Sequence, residues 1–264
     1  MTKRAHARIR LVCLSLLTAA ALGPVAYTFV NSFAEGYAYG LIPRNWSLNG
    51  WYQVFIRQPH YLFKFWNSLL LAAVIAAGQT VVSCLAGYGF SKFRFPGKDA
   101  VFFLVIILMM MPYQVTIVSN YLMLDKLGLI GSWWALILPA VFSPFGVFLL
   151  RQVFDTCSSE LLEAARLDGA GDLRILFGIL VPRCRAGVVS VVILSFIDAW
   201  NMVEQPIVYL KSEYDYPLSV FLSQLNRPDV GVLCTCGLLA AVPVVLLFLY
   251  YDQELTEGVT LTQL

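Results

Sequence analysis

Polar side chains recur at helical spacing within an apolar stretch near residue 200. Asp198, Asn201 and Glu204 are three residues apart, so a helix would place neighbouring members on the same face. Carboxylates and amides hydrogen-bond hydroxyl groups, and Trp200 offers a flat apolar surface to the carbon face of a sugar. Because polar residues within membrane-spanning segments are commonly functional, we expect these four residues and Gln79 to line a translocation path. Hydrogen bonding to a second subunit would use the same residue types.

A polar connection over residues 155–186 carries a second group of candidate residues. Glu160 and Glu163 fall early in a predicted helix, where acidic side chains are stabilised by the helix dipole. Gly169 can then adopt the left-handed conformation that ends a helix, and Pro182 marks a later bend. The local features expected here are an N-cap at Ser159, an N-cap at Asp172, a second helix from Leu173 to Val181, and a pair between Glu163 and Arg166.

An apolar stripe runs along the first of these helices and is formed by Leu161, Leu162 and Ala165. Such a stripe on a short helix outside the bilayer has to be covered by other protein. One alternative is a partner whose surface comes close over the small side chains of Ala164 and Ala165. The other alternative is that the hairpin packs against the ends of the chain's own spans.

Catalytic and metal-binding side chains are scarce in the sequence. The chain has 2 histidines and 6 cysteines, and both histidines, His6 and His60, fall outside the apolar stretches. The string at 95–99 lacks the glycine-rich approach and the magnesium-binding hydroxyl of a phosphate-binding loop. We therefore expect no catalytic residue, no metal site and no cofactor bound by this chain. Uphill transport would then need an ion gradient or a partner that hydrolyses nucleotide.

The composition indicates which elements position these residues. Hydrophobic residues make up 59% of the 264 residues and charged residues 13%, about half the charged share of soluble domains. This balance excludes a soluble enzyme, a secreted disulfide scaffold and a disordered chain, and a net charge of +2 argues against a nucleic-acid partner. A helix crosses a bilayer with about 20 apolar residues. The sequence thus predicts an all-α polytopic membrane protein with six transmembrane helices, at 11–33, 65–90, 100–118, 132–150, 187–210 and 232–251.

The distribution of basic residues predicts the orientation of these helices. Lys and Arg are concentrated in the amino-terminal segment and in the connections 91–99 and 151–186, and such an excess marks the cytoplasmic side. Both termini are then cytoplasmic. The first apolar stretch is longer than the hydrophobic region of a signal peptide, so we expect a retained first span. We expect one transmembrane domain over residues 1–264.

The connection at 155–186 also resembles a known signature. The matching residues are Glu163, Ala164, Ala165, Gly169, Ile179 and Pro182. Their spacing is similar to the EAA signature of bacterial ABC-importer permeases, with Val181 where that signature has leucine. The stretches 67–69, 87–98, 151–154, 160–170 and 196–201 resemble the same group of proteins. Over most of its length the chain looks like the MalG-like permease subunits of carbohydrate importers.

That resemblance implies the type I permease fold of ABC importers and a place in the bacterial cytoplasmic membrane. It also implies a coupling loop that fits a cleft on an ATP-binding subunit, with Glu163 as a charged contact, Ala165 at the closest approach and Gly169 as the turn. The same loop contains Glu160, Ala164, Asp168, Ile179 and Pro182. The implied partners are two ATP-binding subunits that bind ATP and magnesium, a second permease subunit of different sequence, an extracellular solute-binding protein and the lipid bilayer.

Three positions depart from the pattern of those permeases. Cys157 and Ser158 stand where Ile-Pro is usual, and the stretch 183–187 lacks the further proline that often follows soon after the position of Pro182. The carboxy-terminal tail is acidic where a basic ending is common. None of these departures alters the EAA core.

Three alternative functions can be separated by their residue requirements. A permease for glycerol phosphate would favour Arg or Lys along the path, and no Lys or Arg lies clearly within a predicted span, which favours a neutral sugar. An ion-coupled secondary transporter would need an internal repeat with paired broken helices. A membrane-embedded enzyme would need clustered His or Cys, or paired Asp, within the spans.

Overall fold

The computed structural model describes residues 3–36, 42–57, 60–224 and 230–253, with side chains described from residue 10 onward. These residues are mainly helical and contain no β-strand; one isolated antiparallel bridge joins Ala34 and Trp46. The all-α prediction is confirmed.

The helices follow one another with short connections. In chain order they are α1 (Lys3–Asn31), α2 (Asn49–Tyr52), α3 (His60–Lys92), α4 (Lys98–Met110), α5 (Tyr113–Lys126), α6 (Trp134–Val141), α7 (Pro144–Asp155), α8 (Ser159–Leu167), α9 (Asp172–Ile175), α10 (Val181–Arg183), α11 (Arg185–Trp200), α12 (Glu204–Tyr209), α13 (Leu218–Ser223) and α14 (Val230–Tyr250). Short π-helical segments occupy Gln53–Arg57 and Leu176–Leu180, and a 3₁₀ turn occupies Glu213–Asp215.

Within the described residues, 4 stretches are long and apolar enough to cross a membrane, or up to 6 if each bent helix pair counts as one span. The 4 stretches are Arg10–Asn31, His60–Lys92, Trp134–Asp155 and Val230–Tyr250. The bent pairs are α4 with α5, at 106°, and Asp172–Arg183 with α11, at 88°. The prediction of a polytopic helical membrane protein agrees with this set.

Three of the predicted spans are not continuous helices. The stretch 132–150 is interrupted at residues 142–143, since α6 ends at Val141 and α7 begins at Pro144. The stretch 100–118 breaks at Met111, whose φ of −70° and ψ of 126° are extended. The reason is Pro112, because the ring of a proline disfavours helical geometry in the residue before it. The stretch 187–210 is also interrupted, since α11 ends at Trp200 and α12 begins at Glu204.

The chain divides into two compact units, which we describe separately. The first unit comprises the described residues from the amino terminus to Phe65 and from Phe221 to Pro243. Within it, the Tyr61 hydroxyl donates to the carbonyl of Cys236 at 2.8 Å, and a Cβ on Gly50 would lie 2.7 Å from the backbone of Gly231. The expectation of one transmembrane domain over residues 1–264 remains a prediction.

The second unit comprises residues 66–220 and the described residues from Val244 onward. Within it, α7 packs against α4 and α11. A Cβ on Gly87 of α3 would lie 3.0 Å from the Cβ of Leu150, and a Cβ on Gly187 of α11 would lie 2.7 Å from the methyl groups of Val153. Small residues allow helix backbones to approach in this way in membranes. The buried cluster beside these crossings comprises Cys84, Tyr88, Leu150, Phe154, Leu162, Ile175, Leu176, Leu180, Cys184 and Val191.

Candidate functional site

A cavity of about 720 Å³ lies within the second unit, between α3, α5, α6, α11 and α12. Its polar lining comprises Gln79, Tyr113, Gln114, Thr116, Asn120, Ser143, Ser195, Asp198, Asn201, Glu204, Gln205 and Tyr209. Four of the five residues that the sequence predicted for a translocation path are therefore brought to one cavity, namely Gln79, Asp198, Asn201 and Glu204. Their role as a path stays a prediction.

Trp200 is the fifth of those residues, and the structure places it elsewhere. Its side chain is buried and stacks on Phe196, with ring centroids 5.8 Å apart and an interplanar angle of 13°. The two residues are four apart on α11, on the face that packs into the protein. Trp200 is not among the residues that line the cavity.

The bend at Pro112 supplies a polar wall that the sequence reasoning missed. Because α5 turns away from α4, Tyr113 and Gln114 face the cavity instead of continuing a span. The Gln114 amide donates to Glu204 at 3.4 Å, and the Tyr113 hydroxyl donates to that of Tyr209 at 2.8 Å. These bonds connect α5 to α12 across the cavity wall. The available signal was Pro112 followed directly by Tyr113 and Gln114.

The buried part of the lining contains two polar side chains among apolar ones. Gln79 is 6% exposed and Ser195 is 2% exposed, beside Ile75, Ala135 and Leu136. The Ser195 hydroxyl has no hydrogen-bond partner within the described part of the chain. A buried hydroxyl of this kind carries a desolvation penalty unless something in the cavity bonds to it. Sequence reasoning missed Ser195, whose only signal was its position three residues before Asp198.

The charge of the cavity lining is negative. Asp198 and Glu204 contribute carboxylates, and no lysine or arginine occurs among the described residues that line the cavity. The amide of Asn201 donates to the carbonyl of Ile197 at 3.0 Å, which leaves its oxygen free to accept. The lining can therefore accept hydrogen bonds from hydroxyl groups but offers no cation to an anionic group.

The predicted helical hairpin is present within residues 155–186. α8 ends at Leu167, and Gly169 has the expected left-handed conformation, with φ of 82°. Two cap predictions were wrong by one residue, because the N-caps are Ser158 and Gly171, without side-chain cap bonds. The second helix extends beyond the predicted 173–181, from Asp172 to Arg183 with a π-helical segment inside it, and the bend falls after Pro182, at Cys184.

An ion pair holds the turn of the hairpin, but its partners differ from the prediction. Arg166 donates to Asp172 at 3.2 Å instead of pairing with Glu163. The turn at Gly169 brings Asp172 back beside α8, and the same carboxylate accepts from the Tyr88 hydroxyl at 3.2 Å. The hydrogen bond from Arg166 to Asp172 raises the pKa of the guanidinium. The hairpin is thereby attached to α3.

The hairpin has an inner and an outer face. Leu162 is 3% exposed within the buried cluster, and Ala165 and Ile179 pack against that cluster. The chain's own spans therefore cover the inner part of the predicted stripe. Glu163 and Leu167 are exposed, and Leu167 retains 90% of its accessible surface. Further exposed residues of the hairpin include Glu160, Leu161, Ala164, Asp168, Leu173 and Pro182.

No group of three or more His, Cys, Asp or Glu side chains lies close enough to hold a metal ion among the described residues.

Comparison with known proteins gives concordant results. The chain is 29% identical to the arabinooligosaccharides transport system permease protein AraQ of Halalkalibacterium halodurans, over 83% of this chain and 79% of that protein. It is 29% identical to the sn-glycerol-3-phosphate transport system permease protein UgpE of Brucella abortus, over 75% of this chain and 72% of that protein. Its fold matches a solved chain of a bacterial ABC transporter involved in the import of the acidic polysaccharide alginate, with a TM-score of 0.87 and 20% identity, over 97% of this chain and 99% of that one.

The family comparison covers most of the chain, including the cavity and the hairpin. The sequence profile of the binding-protein-dependent transport system inner membrane components matches residues 79–253. The fold, the apolar helices and the relatives agree with that match. The chain therefore belongs to the family of binding-protein-dependent transport system inner membrane components, as a multi-pass permease subunit of an ABC importer.

Proposed function

We propose that this permease imports a neutral carbohydrate and that the cavity between α3, α5, α6, α11 and α12 is part of the translocation path. The observation that carries the proposal is the cavity lining, which has two carboxylates, several amides and hydroxyls, and no cation among its described residues. Carboxylates such as Asp198 accept hydrogen bonds from pairs of sugar hydroxyls, and Tyr113 can pack against ring carbons. The unpartnered Ser195 hydroxyl supplies a further bond.

The same lining disfavours an anionic solute. The relatives include permeases named for sugars and for glycerol phosphate, so similarity alone leaves both classes open. A phosphate ester is usually held by Arg or Lys in charge-assisted hydrogen bonds. Asp198 and Glu204 would instead repel it. We therefore place the glycerol-phosphate function second.

The hairpin is proposed to couple the path to a separate ATP-binding subunit. The inner face is anchored through Leu162 and through the contacts of Asp172 with Arg166 and Tyr88, so a force on the outer face moves the hairpin as one piece. The exposed Glu163 and Leu167 then form part of the contact with the ATPase. ATP and magnesium bind to that partner, and this chain supplies neither a nucleotide-binding site nor a cofactor.

The proposed assembly contains two ATP-binding subunits, a second permease subunit of different sequence and an extracellular solute-binding protein. Both termini of this chain are proposed to be cytoplasmic. The apolar stretch of α1 supports the presence of further partners, because none of it is buried within this chain. Lipid and the second permease would cover it.

Co-purification tests the coupling proposal. The chain, tagged at its carboxy terminus, is expressed with its neighbouring transport subunits and recovered in mild detergent. We expect an ATP-binding subunit in the recovered material and its loss with Glu163→Lys. Glu213→Lys, a charge reversal at the 3₁₀ turn far along the chain, is the matched control. Recovery of the chain without any ATPase would contradict the proposal.

Uptake of labelled solutes tests the solute class. Cells that express the whole transporter are given labelled lactose, an arabino-oligosaccharide or sn-glycerol 3-phosphate. Uptake of a neutral sugar, weakened in Asp198→Asn, is the expected result. Efficient uptake of sn-glycerol 3-phosphate alone would replace the carbohydrate proposal by the second candidate.

A further inference from the structure

A segment of the first unit, residues 42–57, lies where three apolar helices end. Each of α1, α3 and α14 contains a stretch that is long and apolar enough to cross a membrane. The Thr235 hydroxyl of α14 donates to the carbonyl of Ser32, directly after α1, at 3.4 Å, and the Tyr61 hydroxyl at the start of α3 donates to the carbonyl of Cys236. The end of α1 and the first turns of α3 and α14 therefore meet at one boundary of the membrane.

Backbone contacts hold the segment 42–57 against these helix ends. The Ser47 amide donates to the carbonyl of Phe33 at 2.8 Å, and a Cβ on Gly50 would lie only 2.7 Å from the backbone of Gly231 at the start of α14. The part of the segment that precedes α2 is not helical. Irregular backbone exposed to lipid does not occur in the hydrocarbon core, because its polar groups would lack hydrogen-bond partners. The segment is therefore kept outside that core.

The same segment exposes large apolar side chains. Trp46 is 62% exposed and Ile56 is 63% exposed, whereas Val54 is 2% exposed and packs inward. The exposed set comprises Ile42, Trp46, Leu48, Tyr52, Phe55 and Ile56. A concentration of exposed apolar side chains of this kind marks a surface that contacts another molecule or a membrane.

A row of aromatic rings connects this surface to α1. The ring centroids are successively 5.6, 6.1 and 6.3 Å apart, in the order Phe29, Phe33, Trp51 and Phe55. Both ends of the row are exposed, and Phe29 belongs to the apolar stretch of α1, none of which is buried within the chain. The surface that α1 offers to lipid thus continues onto the segment 42–57.

The charge of the segment complements phosphate. Arg44 and Arg57 are exposed, and residues 42–57 contain no aspartate or glutamate. The Arg57 guanidinium lies over the ring of the exposed Tyr52, 5.7 Å from its centroid. Arginine binds phosphate oxygens in charge-assisted hydrogen bonds, and tryptophan and tyrosine are enriched where a membrane meets water. Both chemistries occur together in the phospholipid headgroup layer.

We propose that residues 42–57 form an interfacial anchor that binds the phospholipid headgroup layer. The rings of Trp46 and Phe55 reach the upper acyl carbons, while the two arginines of the segment bind lipid phosphates. The anchor fixes the depth at which α1, α3 and α14 end. It depends neither on the transported solute nor on coupling to ATP hydrolysis.

Lipid photolabelling of the whole transporter in nanodiscs tests the proposal. One preparation contains phosphatidylcholine with a diazirine beside the glycerol backbone, and the other contains phosphatidylcholine with the diazirine at the end of an acyl chain. After irradiation, the labelled peptides are mapped by mass spectrometry. The test variant combines Trp46→Ser with Phe55→Ser. The matched control combines Trp46→Phe with Phe55→Tyr, which keeps a ring at both positions.

We expect the glycerol-level probe to label residues 46–57 and the chain-end probe to leave them unlabelled. The middle of α1 should show the opposite preference and serves as the internal standard. Labelling of the segment should be lost in the serine variant and retained in the aromatic control, because the rings make the contact. Labelling of α1 should be the same in both variants, which shows that the chain is still inserted.

Three results would overturn the proposal. If α1 is labelled while residues 46–57 take up neither probe, another subunit or water covers this surface. Equal labelling of the segment by both probes would place it in the hydrocarbon core, and full labelling of the serine variant would exclude the rings as the contact. A failure of the proposed function is distinguishable from these results, since the labels are read from this chain whether or not an ATP-binding subunit is recovered with it.

Discussion

Glycine has different roles in the helix crossings around α7 and in the hairpin that begins with α8. At the crossings, a Cβ on Gly87 or Gly187 would come within 2.7–3.0 Å of a neighbouring helix. In the hairpin, a Cβ on Gly169, Gly171 or Gly178 would meet nothing within 4 Å. Gly169 is instead required for its φ of 82°.

The difference separates what holds the bundle from what shapes the hairpin. The crossings depend on space, because apolar burial gives membrane helices no driving force and close packing has to replace it. The turn depends on backbone conformation, since a side chain is disfavoured in the left-handed region even where there is room for it. A substitution at a crossing should damage the whole bundle, whereas one at the turn should damage only transmission.

The largest effect is expected at a crossing. Gly87→Leu should force α3 away from Leu150 and the backbone of Arg151, with a loss of about 1–3 kcal/mol or failure to fold. Gly89→Leu, two residues along the same helix with nothing within 4 Å, is the matched control. The measurement is the monodisperse fraction and the thermal midpoint in detergent. If Gly87→Leu and Gly89→Leu behave alike, the crossing does not depend on the missing side chain at Gly87.

The next effect is expected at the turn. Gly169→Pro should leave the chain folded in the membrane but lower ATP-driven uptake by about tenfold or more, because proline fixes φ near −65° and the turn needs 82°. Gly178→Ala, where there is open space, should transport normally. Uptake is measured together with membrane abundance. Transport at the wild-type rate in Gly169→Pro would contradict the requirement for a left-handed residue at the turn. It would also contradict the coupling role of the hairpin.

A smaller effect is expected in the cavity. Ser195→Ala should raise the uptake KM for the transported sugar by about fivefold, the equivalent of one hydrogen bond of about 1 kcal/mol. Ser190→Ala on the same helix is the matched control, since that hydroxyl bonds to the carbonyl of Ala186 at 2.9 Å. The KM and maximal rate are measured separately. A stability change without a KM change would assign Ser195 to packing instead of to the path.

The smallest effect concerns the ion pair across the turn. Arg166→Gln should lower the thermal midpoint slightly, by the equivalent of about 0.2–1 kcal/mol, because the pair with Asp172 is partly exposed. Arg174→Gln, at an exposed position on α9, serves as the control. High salt should reduce the difference between Arg166→Gln and the unsubstituted chain. A loss as large as that of Gly87→Leu would mean that the hairpin carries the stability of the bundle.

Local rules anticipated the elements better than the partners of individual side chains. The turn at Gly169 follows from one residue and its neighbours, and it was predicted. The bend at Pro112 had a local signal that a 20-residue hydropathy criterion ignores, because that criterion does not register where a helix breaks. The pair of Arg166 with Asp172 was missed, since helical spacing offers Glu163 as the partner until the turn brings Asp172 back.

The sequence by itself determined that the chain is helical, apolar enough to cross a membrane several times, and equipped with a polar hairpin that turns at Gly169 and resembles the EAA type. These properties depend on composition and on contacts between residues a few positions apart. The tertiary structure decided that Ser195 and Gln114 join Asp198 at one cavity while Trp200 turns into the core. Such contacts depend on helix bends and crossings, which bring together residues far apart in sequence and which no local pattern specifies.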